Sequence, residues 1–180
     1  MSFRTIQELA QSNSQINPDF KPRLTLNDLM SRKAAVIISC VDPRADPKDF
    51  WGITPGAPPG IVRNAGGRAV DALRTLEVLA ALGKGLDTVA VVHHTECGVG
   101  PKGIDDAFIR RTLQERKKGS TEETGGLQSK QFETFKHSSE EESVKEDMRL
   151  IQAHPLFPKD LQVLGFVLNV ETNTTSEVLL

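Results

Sequence analysis

Three residues of types that bind transition metals stand out in this sequence. Cys40 opens the C-x-D-x-R string of residues 40–44, and His94 and Cys97 form an H-x-x-C pair further along the chain. The chain has two cysteines, and both lie in these motifs. Two thiolates and one imidazole are three of the four ligands of a tetrahedral zinc ion, and a catalytic zinc keeps its remaining position open. The spacing therefore predicts a zinc site at Cys40, His94 and Cys97 that makes hydroxide at neutral pH.

Two plainer explanations of the same residues stay open. Buried free cysteines are common, so both thiols could be inert core residues beside an incidental histidine. Alternatively the zinc could be structural, which needs a fourth protein ligand. Asp42 is the candidate for that ligand, because the chain has no third cysteine.

Asp42 and Arg44 are the second candidate pair. Residues two apart in an extended segment point the same way, so this carboxylate and guanidinium can form a bidentate pair. An exposed ion pair would be worth only about 0–1 kcal/mol. Beside a zinc-bound hydroxide, however, Asp42 could accept its hydrogen bond, and Arg44 would keep Asp42 ionised.

A strand–helix–strand pattern places these residues. Apolar, β-branched runs predict buried strands at residues 34–39, 60–63 and 87–93, and apolar positions from Ala69 onward predict a helix that ends near Gly83. This pattern favours a parallel sheet with helices on both faces. Ligands bind beyond the carboxyl ends of such strands, where Cys40 and His94 both lie.

The remaining helices, strands and loops are predicted from shorter stretches of sequence. Apolar spacing predicts a helix at residues 3–10, Thr25 and Ser139 are placed to cap helices, and residues 161–170 form the last strand candidate. Residues 117–139 are polar and are interpreted as a solvated loop. The turn containing Gly66 and Gly67 could hold an anionic oxygen of the substrate on its backbone N–H groups, or it could be a plain turn.

Composition bounds the class of protein. A chain of 180 residues fits one domain, residues 1–180, and its net charge of −2 gives no reason to expect nucleic acid as a partner. No apolar run is long enough to cross a membrane, and the N-terminus lacks a signal-peptide pattern. We therefore expect a cytoplasmic protein with reduced thiols and no membrane partner.

Together these motifs resemble a β-class carbonic anhydrase. The supporting segments are residues 40–44, 63–67, 93–98, 155–158 and 163–170, in the family's order. The double histidine and the short chain are most similar to the small, minimal subgroup.

The resemblance implies one zinc ion per chain, held by Cys40, His94 and Cys97, with Asp42 and Arg44 as the catalytic dyad. It implies a three-layer α/β/α sandwich around a mostly parallel β-sheet. It also implies a homodimer or a dimer of dimers, in which residues 1–30 form a helical arm that packs on the partner subunit. In some family members the carboxylate matching Asp42 binds zinc in a closed form.

The expected activity is the reversible hydration of CO₂ to bicarbonate by a zinc-bound hydroxide. One alternative is the hydrolysis of carbonyl sulfide or carbon disulfide, which are linear and apolar like CO₂, on the same scaffold. The other is a catalytically inactive, zinc-stabilised binding module with Asp42 as a permanent fourth ligand.

Overall fold

A mixed five-stranded sheet forms the centre of the molecule. The computed structural model describes residues 5–12, 21, 24–53, 58–116, 130–132, 134–135 and 137–180. The strands are β1 (Ala34–Cys40), β2 (Gly60–Asn64), β3 (Leu86–His94), β4 (Gln162–Asn169) and β5 (Thr174–Val178). Their order is β2-β1-β3-β4-β5. The first four are parallel, and β5 runs antiparallel to β4.

Helices cover both faces of this sheet. They are α1 (Ile6–Ser12), α2 (Leu26–Met30), α3 (Pro47–Phe50), α4 (Leu73–Ala81), α5 (Asp106–Arg116) and α6 (Glu140–Gln152). Alternation along β1 sends Val36 and Ile38 into the apolar cluster under α4 and α6, and Ile37 into a second cluster on the other face with Phe50 and Trp51. The predicted three-layer α/β/α sandwich is thereby confirmed.

Several element boundaries depend on contacts between distant residues. The helix predicted from Ala69 begins as a 3-10 turn at Val70–Ala72, and α4 starts only at Leu73. Upstream of this turn, the Ala69 N–H donates to the Asp147 carboxylate of α6 at 2.9 Å. The predicted cap at Thr25 is confirmed, because its hydroxyl accepts from the Asp28 N–H and the Asp28 carboxylate accepts from the Thr25 N–H.

Part of the stretch predicted to be a solvated loop is packed. Residues 117–129, 133 and 136 lie outside the described residues. Thr134 and Phe135 are only 5% and 8% exposed, so the prediction was wrong for these two. The reason is the Asp106 carboxylate at the start of α5, which accepts hydrogen bonds from this segment.

The N-terminal arm presents exposed apolar side chains. Ile6 of α1 is 86% exposed, and α2 has no buried residue. Residues 3 and 4 of the predicted first helix lie outside the described part of the chain. In the ranges that are described, no helix combines the length and the apolar character needed to cross a membrane.

Candidate metal centre

The three predicted metal ligands meet at one edge of the sheet. Cys40 is the last residue of β1 and His94 the last of β3, and these strands are neighbours. Cys97 follows in the turn after β3. The two sulfur atoms are 4.0 Å apart, and all three ligand atoms lie within 4.8 Å of one another. The structure therefore brings together the residues that the sequence singled out, and it buries all three.

This cluster fits a zinc ion. Bond lengths of about 2.3 Å to sulfur and about 2.0 Å to nitrogen place tetrahedral ligand atoms roughly 3.5–3.8 Å apart, close to the separations seen here. The Nδ1 atom of His94 lies 2.8 Å from the Thr95 carbonyl, which accepts its hydrogen, so Nε2 is left as an electron-pair donor. That Nε2 atom is buried and has no hydrogen-bond partner among the described residues. A buried nitrogen beside two thiols is satisfied by a metal ion.

The sulfur of Cys40 is prepared as a thiolate. It lies beside the Cys97 thiol and accepts from the N–H groups of Asp42 at 3.4 Å and Gly66 at 3.3 Å. The Cys97 thiol above all, and then His94 and these N–H groups, outweigh burial and lower the pKa of Cys40 to about 4. The same contact raises the pKa of Cys97, which holds the proton that the two sulfurs share. The pairing therefore favours a thiolate at Cys40 and a thiol at Cys97.

Asp42 and Arg44 form the predicted pair. The Arg44 Nη2 atom donates to Asp42 Oδ2 at 2.8 Å, and its Nε atom donates to Oδ1 at 3.1 Å. These hydrogen bonds from Arg44 lower the pKa of Asp42 to about 2, against the opposing effect of burial. Asp42 Oδ2 also lies 4.0 Å from His94 Nε2. An ionised carboxylate therefore stands at the mouth of the ligand cluster.

The glycine turn holds the sulfur of Cys40. Gly66 has a φ of 81°, and its N–H is the one directed at Cys40. Gly67, with a φ of 70°, packs on the backbone of Ser39 and Cys40. The substrate role predicted for Gly66 and Gly67 therefore stays a prediction, and these contacts do not support it for the Gly66 N–H.

Two further charged residues organise the site without having been predicted to do so. Arg63 donates to the Cys40 carbonyl at 2.9 Å, to the Asp42 carbonyl at 2.7 Å and to the Asp46 carboxylate at 2.7 Å. Glu96 accepts from Arg44 Nη1 at 3.1 Å and has a φ of 54°, which is unusual for a residue other than glycine. Arg63 thus clamps the loop that carries Asp42, and Glu96 is a second carboxylate for Arg44. Arg63 and Glu96 each pair with residues that only the fold brings close. Their spacing in the sequence therefore did not predict these contacts.

A buried charge network lies behind the ligands. Asp147 of α6 is fully buried and accepts from the Arg68 guanidinium at 2.9–3.2 Å through both oxygens. His93 Nε2 lies 3.1 Å from the same carboxylate, on the face of β3 opposite His94. His93 is therefore a buried, hydrogen-bonded histidine that points away from the ligand cluster. The network ties the glycine turn, β3 and α6 together.

Comparison with known proteins identifies the family of the chain. The family model described as carbonic anhydrase matches residues 35–175, which include all three ligand residues and the dyad. The chain belongs to the β-carbonic anhydrase family. The sequence resemblance to that family is thereby confirmed.

The relatives within this family carry more than one activity in their names. A carbonic anhydrase from Glaciozyma antarctica is 30% identical, with 81% of each chain covered and a TM-score of 0.71. The carbonic anhydrase from Streptococcus mutans is 26% identical, with 99% of this chain and 100% of that chain covered and a TM-score of 0.76. A carbon disulfide hydrolase from Acidianus sp. (strain A1-3) is 28% identical over 151 residues, covering 76% of this chain and 73% of that protein. Membership of the family therefore fixes the scaffold and leaves the choice of substrate to further argument.

Proposed function

We propose that the chain catalyses the reversible hydration of CO₂ to bicarbonate, with one zinc ion held by Cys40, His94 and Cys97. The observation that supports this most is the buried cluster of three ligand atoms within 4.8 Å of one another, beside the ionised Asp42. When bound, the ion would lower the pKa of water and so supply the nucleophile at neutral pH.

The dyad would orient that nucleophile. Asp42 Oδ1 accepts two hydrogen bonds from Arg44, from its backbone N–H and from Nε, whereas Oδ2 accepts one, from Nη2. A carboxylate oxygen has two acceptor positions, so Oδ2 keeps one for the attacking oxygen. Arg44 holds the carboxylate in place and keeps it from taking the proton itself. The low pKa of Asp42, about 2, suits a group that accepts a hydrogen bond without being protonated.

The second candidate reaction is the hydrolysis of carbonyl sulfide or carbon disulfide. The similarity to the carbon disulfide hydrolase of Acidianus sp. favours it. These substrates are linear and apolar like CO₂, and the same nucleophile would attack their carbon and release hydrogen sulfide. Stopped-flow CO₂ hydration, run beside a sulfide-release assay on the same preparation, distinguishes the two. Fast sulfide release with negligible CO₂ turnover would reject the first proposal.

A zinc-stabilised module without activity is the third candidate, with Asp42 as a permanent fourth ligand. In this structure both oxygens of Asp42 are paired with Arg44, and ligation would have to compete with that pair. On the catalytic proposal, Asp42→Asn keeps zinc and loses most of the CO₂ hydration rate, whereas Cys40→Ser loses zinc. Full turnover in Asp42→Asn would reject the dyad role.

We also propose that residues 1–180 form a single domain and that the arm of residues 1–30 packs on the partner in a homodimer or a dimer of dimers. The exposure of Ile6 and of the α2 side chains supports this, since apolar helix faces are normally covered. Sedimentation of the full chain at micromolar concentration tests it. Ile6→Asp should shift the mass towards the monomer, and a wild-type protein that sediments as a monomer would contradict the proposal. The cytoplasmic location stays a prediction.

A further inference from the structure

A short segment after α5 packs against the metal centre from outside the ligand set. We call residues 130–132 and 134–135 the return segment. Phe135 of this segment is 8% exposed, and its N–H donates to the Val99 carbonyl at 3.1 Å. Its ring lies 4.7 Å from the His93 ring and 5.1 Å from the Arg68 guanidinium carbon. The segment is thus built into the site.

Phe135 contacts two backbone turns, one beside the Cys40 sulfur and one that carries Cys97. One edge of its ring lies 3.5 Å from where a side chain on Gly66 would begin, and the Gly66 N–H donates to the sulfur of Cys40. The other turn contains Val99, whose carbonyl accepts a hydrogen bond from the Phe135 N–H. The same turn carries Cys97, whose carbonyl accepts from the Gly100 N–H at 2.9 Å. Phe135 therefore supports both the turn that directs an N–H at the Cys40 sulfur and the turn that carries Cys97.

Asp106, the first residue of α5, holds the return segment in place. Its carboxylate accepts from the Thr134 hydroxyl at 2.7 Å and from the Phe132 N–H at 3.1 Å. Arg110, one helical turn further on, pairs with the same carboxylate at 3.2 Å and donates to the Lys130 carbonyl. These hydrogen bonds fix the backbone on the N-terminal side of Phe135.

We propose that Phe135 and Asp106 are positioning residues of the metal centre. Phe135 fixes the turn that directs the Gly66 N–H at the Cys40 sulfur and the turn that carries Cys97, and Asp106 fixes Phe135. The inference rests on the proposed function only in assuming that these cysteines bind zinc. Hydrogen bonds to ligating atoms orient the ligands and tune the ion, and losing such partners typically costs 10–100-fold in metal affinity.

The test is metal binding by Phe135→Leu, a change that keeps an apolar side chain and removes the ring. Phe108→Leu is the matched control, because Phe108 lies on α5 and is 42% exposed. We expect Phe135→Leu to weaken zinc binding about tenfold in competition with a chromophoric chelator. We also expect it to shift the thiolate-to-cobalt absorption bands of the cobalt-loaded protein, while Phe108→Leu changes neither.

Asp106→Asn provides the second variant, with Asp105→Asn as its neighbouring control. Asp106 does not touch the ligands, so its effect must pass through the return segment. We expect Asp106→Asn to weaken zinc binding and shift the cobalt spectrum in the same direction as Phe135→Leu. Should Phe135→Leu fail to fold by circular dichroism, Asp106→Asn decides the matter.

The inference would be overturned if a folded Phe135→Leu or Asp106→Asn protein had the zinc affinity and the cobalt spectrum of the wild type. That result would leave the proposed function untouched, because CO₂ hydration by the wild type is measured separately. Conversely, a wild type that binds zinc tightly and hydrates no CO₂ would contradict the proposed function alone.

Discussion

Gly67→Ala is the substitution whose cost can be worked out most directly from this structure. The φ of Gly67 is 70°, in the left-handed region. A methyl group there would lie 2.9 Å from both the Cys40 nitrogen and the Ser39 carbonyl carbon, and 3.0 Å from the Val92 oxygen. All three neighbours are backbone atoms of central strands, so none of them can rotate away. The added methyl must displace the strand end that carries Cys40.

The expected cost has two parts. A left-handed conformation costs a residue other than glycine about 1–2 kcal/mol. Overpacking a tight site costs about 1–3 kcal/mol more. We therefore expect Gly67→Ala to lower the free energy of unfolding by about 2–5 kcal/mol. Gly52→Ala is the matched control, because Gly52 has a φ of 56° and nothing within 4 Å of the added methyl.

Urea unfolding of the zinc-free wild type and both variants is the measurement. Alanine restricts the unfolded chain equally at both positions, so that effect cancels in the comparison. The difference between the two variants isolates the overlap with the backbone, about 1–3 kcal/mol. Equal free energies of unfolding for the two variants would refute the packing argument. So would a Gly67→Ala protein whose zinc affinity matches the wild type, because the displaced strand end carries Cys40, a proposed zinc ligand.

Two further predictions concern the buried carboxylate and the metal. Burial raises the pKa of Asp147, but hydrogen bonds from His93 and Arg68 outweigh it and lower the pKa below its ordinary value. Its contribution to stability is therefore present above about pH 4 and is lost as the pH falls through the folded-state pKa. Asp147→Asn should cost about 3–5 kcal/mol at pH 7 by leaving Arg68 buried without its carboxylate. Its stability in urea should also fall less steeply than that of the wild type below pH 4, and equal slopes would contradict this account. Removal of zinc with a chelator should lower the melting temperature in calorimetry, because an ion that binds only the folded state stabilises it. Added zinc should restore the wild type and leave Cys97→Ser unchanged; a restored Cys97→Ser would argue against this ligand.

The clustering of Cys40, His94 and Cys97 and the pairing of Asp42 with Arg44 could be predicted because their signals are local. Cys40 and His94 each end an apolar run, and parallel strands bring such ends to one edge of the sheet. Asp42 and Arg44 are two residues apart, so their pairing needs no knowledge of the rest of the fold.

Other elements lacked such signals. No residue of α5 is buried, and its few apolar residues did not lead to a predicted helix. β5 is an edge strand of sequence TTSEV, in which only Val178 is buried. Both elements are stabilised by neighbours that the topology supplies.

The supporting contacts of the site depend on residues far apart in the chain. Arg68 and Asp147 are 79 positions apart, and their hydrogen bonds exist only once α6 lies on the sheet. The same holds for Asp106 and Thr134, which turn part of a polar stretch into a packed segment. A hydrophobicity pattern cannot reveal such pairs, because each partner is an ordinary polar residue in its own neighbourhood.

Zinc K-edge X-ray absorption of the purified, folded protein tests the central claim most directly. The account predicts one zinc ion per chain with two sulfur ligands at about 2.3 Å and two lighter ligands at about 2.0–2.1 Å. Cys97→Ser should lose the ion. A folded protein that takes up no zinc, or a zinc shell without sulfur, would contradict it.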